Sequence, residues 1–229
     1  MKAVEGRSST LEYLTVLPDD YEAEQPYPMI VCLHGRGADM RDLAGLAPAI
    51  DQTGYLYVCP NAPVTIPIGP GYTGRAWYEP AGDPSPAAVE QALTALDGVI
   101  RDAFDRYHVS AGQAILLGFS QGGAMTYRYG MPRPEMFAGL VILSGALRHP
   151  ETLLPDLPAV RTQRLFIAHG IHDSLLPVDL SRDAVAFLEA QGYRPLYREY
   201  PMGHEINFAV LNDLAPWIHS ILPPRRRGV

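Results

Sequence analysis

A chain of 229 residues, 47% hydrophobic and 19% charged, can bury a substantial core and has the make-up of an ordinary globular protein. Its formal net charge of -7 and sequence pI of about 5.4 argue against nucleic acid or an anionic membrane surface as the main partner. No apolar run approaches the length of a membrane span, and Met1-Lys2-Ala3-Val4-Glu5-Gly6-Arg7 lacks the apolar stretch of a signal peptide. The expectation is therefore a cytoplasmic protein of one domain, 1–229, without stable membrane insertion.

In chain order, Leu11 to Leu17 alternates as a half-exposed strand, with Met1 to Arg7 as a candidate neighbour. Met29-Ile30-Val31-Cys32-Leu33 is a continuous apolar run, the mark of a strand buried on both faces, and it ends at His34-Gly35-Arg36-Gly37. The spacing of Leu43, Leu46, Ala47 and Ile50 predicts a helix over 40–52, closed by Gly54. Tyr55 to Cys59 is the next buried strand. Cys32 and Cys59, each inside such a run, read as reduced core thiols. Residues 64–86 carry repeated Pro (Pro67, Pro70, Pro80, Pro84, Pro86) and Gly, and read as one long irregular loop. Trp77 within it argues for a folded loop lying over a site rather than a disordered linker.

Val89, Leu93, Leu96, Ile100, Phe104 and Tyr107 share one face of a helix over 87–107. A strand over 114–117, a helix over 122–129, and strands over 139–145 and 165–170 follow. A helix over 180–190, a strand over 196–200 and a last helix capped by Asn207 and kinked at Pro216 complete the chain. Strand and helix alternate throughout, so the fold class is α/β with a mostly parallel sheet flanked by helices. The connection over 144–164 is too short for a separate lid domain. Arg225-Arg226-Arg227 reads as a solvated, frayed end.

Gly118-Phe119-Ser120-Gln121-Gly122, between a strand and a helix, has the form of a nucleophile elbow. Glycines flank the sharp turn, and the serine hydroxyl is left at the C-terminal end of a strand. A serine nucleophile needs a base, and the base needs an acid to orient it. With this elbow the chain order is Ser, acid, His, which restricts the base to His169, His172, His204 or His219. Asp173 follows the 165–170 strand, whereas Asp179 and Asp183 lie at or in the next helix. With Asp173 as acid, His204, in the loop after the last strand, is the base; His219 falls inside the final helix. The tetrahedral intermediate needs two N–H donors, assigned to the amides of Gln121 and Arg36. The Arg36 side chain has two readings, binder of an anionic substrate group or solvated cation. His34 reads as a hydrogen-bonder beneath its loop.

Leu33-His34-Gly35-Arg36-Gly37, Gly118-Phe119-Ser120-Gln121-Gly122-Gly123, His169-Gly170 with Asp173 and Pro177, and Gly203-His204-Glu205, in this order, resemble the phospholipase/carboxylesterase family, which includes acyl-protein thioesterases and small bacterial carboxylesterases. The resemblance covers almost the whole chain. It implies an α/β-hydrolase fold, no cofactor or metal, and hydrolysis of carboxylic esters or thioesters of small molecules. It also implies triad positions at Ser120, Asp173 and His204, oxyanion positions at Arg36 and Gln121, and an acyl pocket to which the loop bearing Trp77 contributes. A homodimer fits the resemblance, although no exposed apolar stripe demands one. Arg36 stands where thioesterase members often have Leu, and the loop over 64–86 is rich in Pro and Gly; both turn the expectation toward a small-ester carboxylesterase.

Three rivals stand beside that expectation. One is thioester, lysophospholipid or lactone cleavage on the same fold. Another is a non-catalytic binding protein on a hydrolase scaffold. The third is a metal hydrolase drawing on His169, His172, Asp173 and His204.

Overall fold

The structure is a computed structural model that describes residues 1–79 and 81–226. Pro80 and Arg227, both named above, lie outside the described residues. Eight strands form one sheet: β1 (Lys2–Arg7), β2 (Glu12–Leu17), β3 (Met29–Leu33), β4 (Leu56–Pro60), β7 (Ala114–Phe119), β8 (Gly139–Leu143), β9 (Leu165–Gly170) and β10 (Leu196–Tyr200). Their order is β1-β2-β4-β3-β7-β8-β9-β10. The β1–β2 and β2–β4 pairs are antiparallel and every other pair is parallel.

The apolar runs explain the parallel part. In β3, Met29, Val31 and Leu33 face one core layer and Ile30 and Cys32 the other. Helix α2 (Pro86–Arg106) covers the first layer with α4 (Asp179–Ala190). The second layer lies under α1 (Ala47–Ile50) and α5 (Phe208–Ile221). Strands buried on both faces gain nothing from alternation, hence the unbroken runs. Ser85 caps α2, its hydroxyl accepting from the Ala88 N–H (3.2 Å), with Pro86 at the first helical position. Asn207 caps α5 as expected, accepting from the Val210 N–H (3.2 Å), and the helix runs through Pro216. Among the described residues no helix is long and apolar enough to cross a membrane.

Three expectations need correction. The helix over 40–52 is only a 3₁₀ turn (Leu43–Leu46) running into the four-residue α1. Pro48 falls in the middle of the expected span and has no N–H to give to the preceding turn, so the regular α-helical part is confined to α1, where Pro48 is at a first-turn position. The irregular stretch over 64–86 holds a hairpin, β5 (Val64–Gly69) with β6 (Tyr72–Ala76), bulged between Pro67 and Gly69. A two-stranded ribbon has only edges, where proline is tolerated, so Pro67 does not forbid it. The tail is tied down at Arg225: its N–H donates to Gly54 O (3.0 Å), and its guanidinium packs over the Tyr27 ring and donates to the Tyr27 hydroxyl (2.6 Å).

The topology places the site. From β3 the chain crosses by α1 to β4, and from β4 by α2 to β7, on the opposite face and the opposite side of β3. The helix over 121–130 that leaves β7 packs on the first layer and the connection leaving β3 on the second, so the two diverge. The crevice between the C-terminal ends of β3 and β7 is where open α/β sheets bind ligands.

Candidate active site

Helix α3 (Gln121–Gly130) starts immediately after β7, and Ser120 is the residue between them. Its backbone is at φ 56°, ψ -117°, a conformation that costs an L-residue energy and is held by the surrounding structure. The Ser120 N–H donates to Leu143 O of the next strand (2.9 Å), which fixes the turn. Gly122 makes the turn possible: a Cβ there would lie 2.0 Å from Leu33 O, so any side chain would push α3 off β3.

The three residues expected to act together do meet. The Ser120 hydroxyl lies 2.8 Å from His204 Nε2, and His204 Nδ1 lies 2.6 Å from Asp173 Oδ2. Asp173 follows β9, and His204 sits in the turn after β10. The two loops are joined backbone to backbone, the Ile171 N–H to Tyr200 O (2.9 Å) and the His172 N–H to Met202 O (3.0 Å). Gly170 allows that approach, since a Cβ there would meet Met202 O and Gly203 O at 2.3 Å. Phe119 packs against the His204 ring at 4.8 Å between centroids.

Asp173 is enclosed and saturated. Its Oδ1 accepts from the Leu175 and Leu176 N–H groups (2.9 and 2.8 Å), and its side chain is wholly buried. Burial pushes its carboxyl up. The Leu176 amide, the His204 ring and the Leu175 amide outweigh burial and hold it below the ordinary carboxylate value, so it remains an anion.

His169, a candidate base by chain order and a candidate metal ligand, takes neither place in the structure. It is fully buried, with Nε2 2.7 Å from Leu176 O and Nδ1 2.6 Å from the Ser181 hydroxyl. A carbonyl can only accept, so Nε2 carries the proton and Nδ1 accepts from Ser181. The same Nε2 is 3.3 Å from Asp173 Oδ2, so His169 braces both the Asp173 loop and its carboxylate. With both nitrogens engaged, His169 has no lone pair to offer a metal. Among the described residues no cluster of three or more His, Cys, Asp or Glu is arranged to hold one.

His34 is the hydrogen-bonder expected: Nδ1 is 2.7 Å from Gly35 O, and Nε2 accepts from the Ala62 N–H (3.1 Å). Burial lowers its pKa, in agreement with a neutral ring that accepts at Nε2. In the following turn the Gly37 N–H donates to Arg75 O (2.7 Å) and the Ala38 N–H to Gly35 O (3.3 Å). The Arg75 N–H donates back to Ala38 O (2.9 Å), so the hairpin braces this turn instead of lying loose over the site. Arg36 and Gln121 both line the cleft beside Ser120. The Arg36 side chain is exposed, as the solvated reading has it. Its Nε is paired with Glu79 Oε1 at 2.5 Å.

Trp77 also differs from expectation. It is 1% exposed and faces the core, its indole N–H donating to His34 O (3.0 Å). Its neighbours Tyr78, Ala81, Gly82, Asp83 and Pro84 are the part of that loop that lines the cleft. The Gln121 side chain, considered before only for its amide, holds the loop in place. Oε1 accepts from the Trp77 N–H (2.8 Å) and Nε2 donates to Tyr78 O (2.9 Å). Gln121→Ala strands both buried groups, at about 1–3 kcal/mol for each. Urea unfolding is expected to show a lower midpoint with an unchanged slope.

The cleft over Ser120 measures about 510 Å³, within the range of small-molecule sites. A larger hollow, about 690 Å³, lies among Asp19, Asp51 and Arg225 and contains none of these residues.

A family model described as Phospholipase/Carboxylesterase matches residues 20–222. An acyl-protein thioesterase 1 of Mycosarcoma maydis is 25% identical, the alignment covering 94% of this chain and 99% of that protein. A probable carboxylesterase of Oryza sativa subsp. japonica is 26% identical over 71% of this chain and 64% of its own. The crystal structure of esterase PE8 superimposes with a TM-score of 0.78 at 25% identity, covering 97% of this chain and 100% of that one.

Proposed function

The chain belongs to the phospholipase/carboxylesterase family of α/β-hydrolases, and on that premise we propose that it is a serine hydrolase cleaving carboxylic esters of small to medium acyl chain through an acyl-enzyme. The carrying observation is the run Ser120 Oγ–His204 Nε2–Asp173 Oδ2, at 2.8 and 2.6 Å, on a strained elbow in the mouth of a cleft. In this reading His204 takes the Ser120 proton as the hydroxyl attacks the carbonyl. It then returns the proton to the leaving alcohol, and repeats the cycle with water. Asp173 keeps the second proton on Nδ1 and stabilises the imidazolium. The amides of Gln121 and Arg36 receive the oxyanion, each such donor being worth about 2.7–4 kcal/mol in the transition state. A reducing, cytoplasmic setting is part of the reading, supported by the free thiols of Cys32 and Cys59.

A second reading has its own support. The Mycosarcoma maydis relative is named as an acyl-protein thioesterase, and a thioester would use the same Ser, His and oxyanion donors. The test is kcat/KM for 4-nitrophenyl esters from acetate to palmitate, set beside matched acyl thioesters. A maximum at short to medium oxygen esters is expected. A maximum on long-chain thioesters replaces the first reading with the second.

A further inference from the structure

Helix α3 does more than carry the elbow. Gln121, Ala124 and Arg128 fall on one of its faces and all three line the cleft, so the helix forms a floor running away from Ser120. Arg128 is eight residues beyond Ser120, about 12 Å at the helical rise. There the floor meets the loop after β8, which adds Ala146, Arg148 and His149 to the lining.

The charges at the two ends of the cleft are arranged differently. Beside the nucleophile, Arg36 is neutralised by Glu79. At the far end, among the described residues Arg128 donates only to neutral acceptors, Thr152 Oγ1 (3.3 Å) and Arg148 O (2.8 Å). Arg148 is exposed, and among the described residues neither arginine is ion-paired with a carboxylate. Asp83, which also lines the cleft, lies 3.3 Å from His149 Nε2, and Glu151 lies 3.5 Å from His149 Nδ1. Tyr78 lines the same cleft. Burial pushes its hydroxyl up, and Arg128 and Arg148 are the charges that act to bring it down. A wall with two uncompensated guanidiniums and a phenol is a surface for anionic oxygens.

We propose that Arg128 and Arg148 form an anion subsite, and that the substrates of this cleft are esters carrying a carboxylate or phosphate about 12 Å from the scissile carbonyl. The proposal rests on the serine-hydrolase reading above for the word substrate, and on the cleft alone for the binding. The Arg128 side chain also supports the 148–152 loop, so Arg148, whose side chain has no hydrogen-bond or ion-pair partner among the described residues, is the position to vary.

Binding is measured by calorimetry in Ser120→Ala, where turnover cannot interfere. Esters with a terminal carboxylate are compared with methyl-terminated esters of the same length, with the charge placed on the acyl arm in one series and on the alcohol arm in the other. At low salt the charged ester of at least one series is expected to bind about five- to tenfold more tightly, the range for a partly exposed charge-assisted contact. High salt compresses the ratio. Adding Arg148→Gln brings it close to one, and Arg148→Glu reverses it in favour of a terminal ammonium. Arg198→Gln, on the exposed face of β10, leaves it unchanged. Equal binding of charged and neutral chains in both series overturns the subsite. An intact binding ratio in an active-site wild type that cleaves none of these esters overturns the hydrolase reading and leaves the subsite standing.

Discussion

Ser120→Ala is expected to lower kcat by about 10⁴–10⁶-fold, the range for removing the nucleophile of a triad. The loss comes from one atom. The hydroxyl lies 2.8 Å from His204 Nε2 and makes none of the fold's other side-chain hydrogen bonds among the described residues. Alanine keeps a Cβ and tolerates φ 56° about as well as serine does, so stability changes by no more than about 0.5 kcal/mol. The experiment therefore separates chemistry from folding: an unchanged melting curve beside lost turnover, and lost labelling by a fluorophosphonate. Near-normal turnover in this variant removes Ser120 from the mechanism and with it the acyl-enzyme.

Asp173→Asn is expected to cost about 10⁴-fold in kcat with little change in KM. The reason is visible in the partners. Oδ1 is fixed by two N–H donors, from Leu175 and Leu176, so an asparagine keeps its carbonyl oxygen there. Its NH₂ then faces His204 Nδ1, which has to accept. The ring proton moves to Nε2, and Nε2 can no longer take a proton from Ser120. The same contacts give a stability signature. Because the folded carboxyl is held below its ordinary value, it stabilises the fold above about pH 3.9. That contribution is lost as pH falls through the lowered folded value. Acid titration of stability is expected to be shallower in Asp173→Asn than in wild type. Parallel acid curves for the two proteins show that Asp173 is not held as an anion by these contacts.

Much of the fold was legible because its signals are local. Unbroken apolar runs such as Met29–Leu33 mark strands buried on both faces, and Asn207 marks a helix start through a bond only three residues long. The hairpin over 64–76 was hidden because Pro67 and Pro70 are strong loop signals, and what permits them is the absence of a third strand. The helix over 40–52 was overdrawn for the converse reason. Its apolar spacing is helical, but Pro48 in the middle of the span has no N–H to give, and only four residues form a regular helix.

The sequence by itself picked out the elbow at Ser120, Asp173 and His204 as the residues that would meet it, and the α/β layering. Each follows from residues close together in the chain or from the rule that a strand's C-terminal loop opens on the site. The tertiary structure decided what those residues touch. It turned Trp77 into the core, set Glu79 against Arg36, gave the Gln121 side chain to the 77–78 backbone, and braced Asp173 with His169. It also left Arg128 and Arg148 facing open cleft. Most of these contacts join atoms from separate loops and strands, whose meeting depends on how the layers pack. No local pattern of residue types records that geometry.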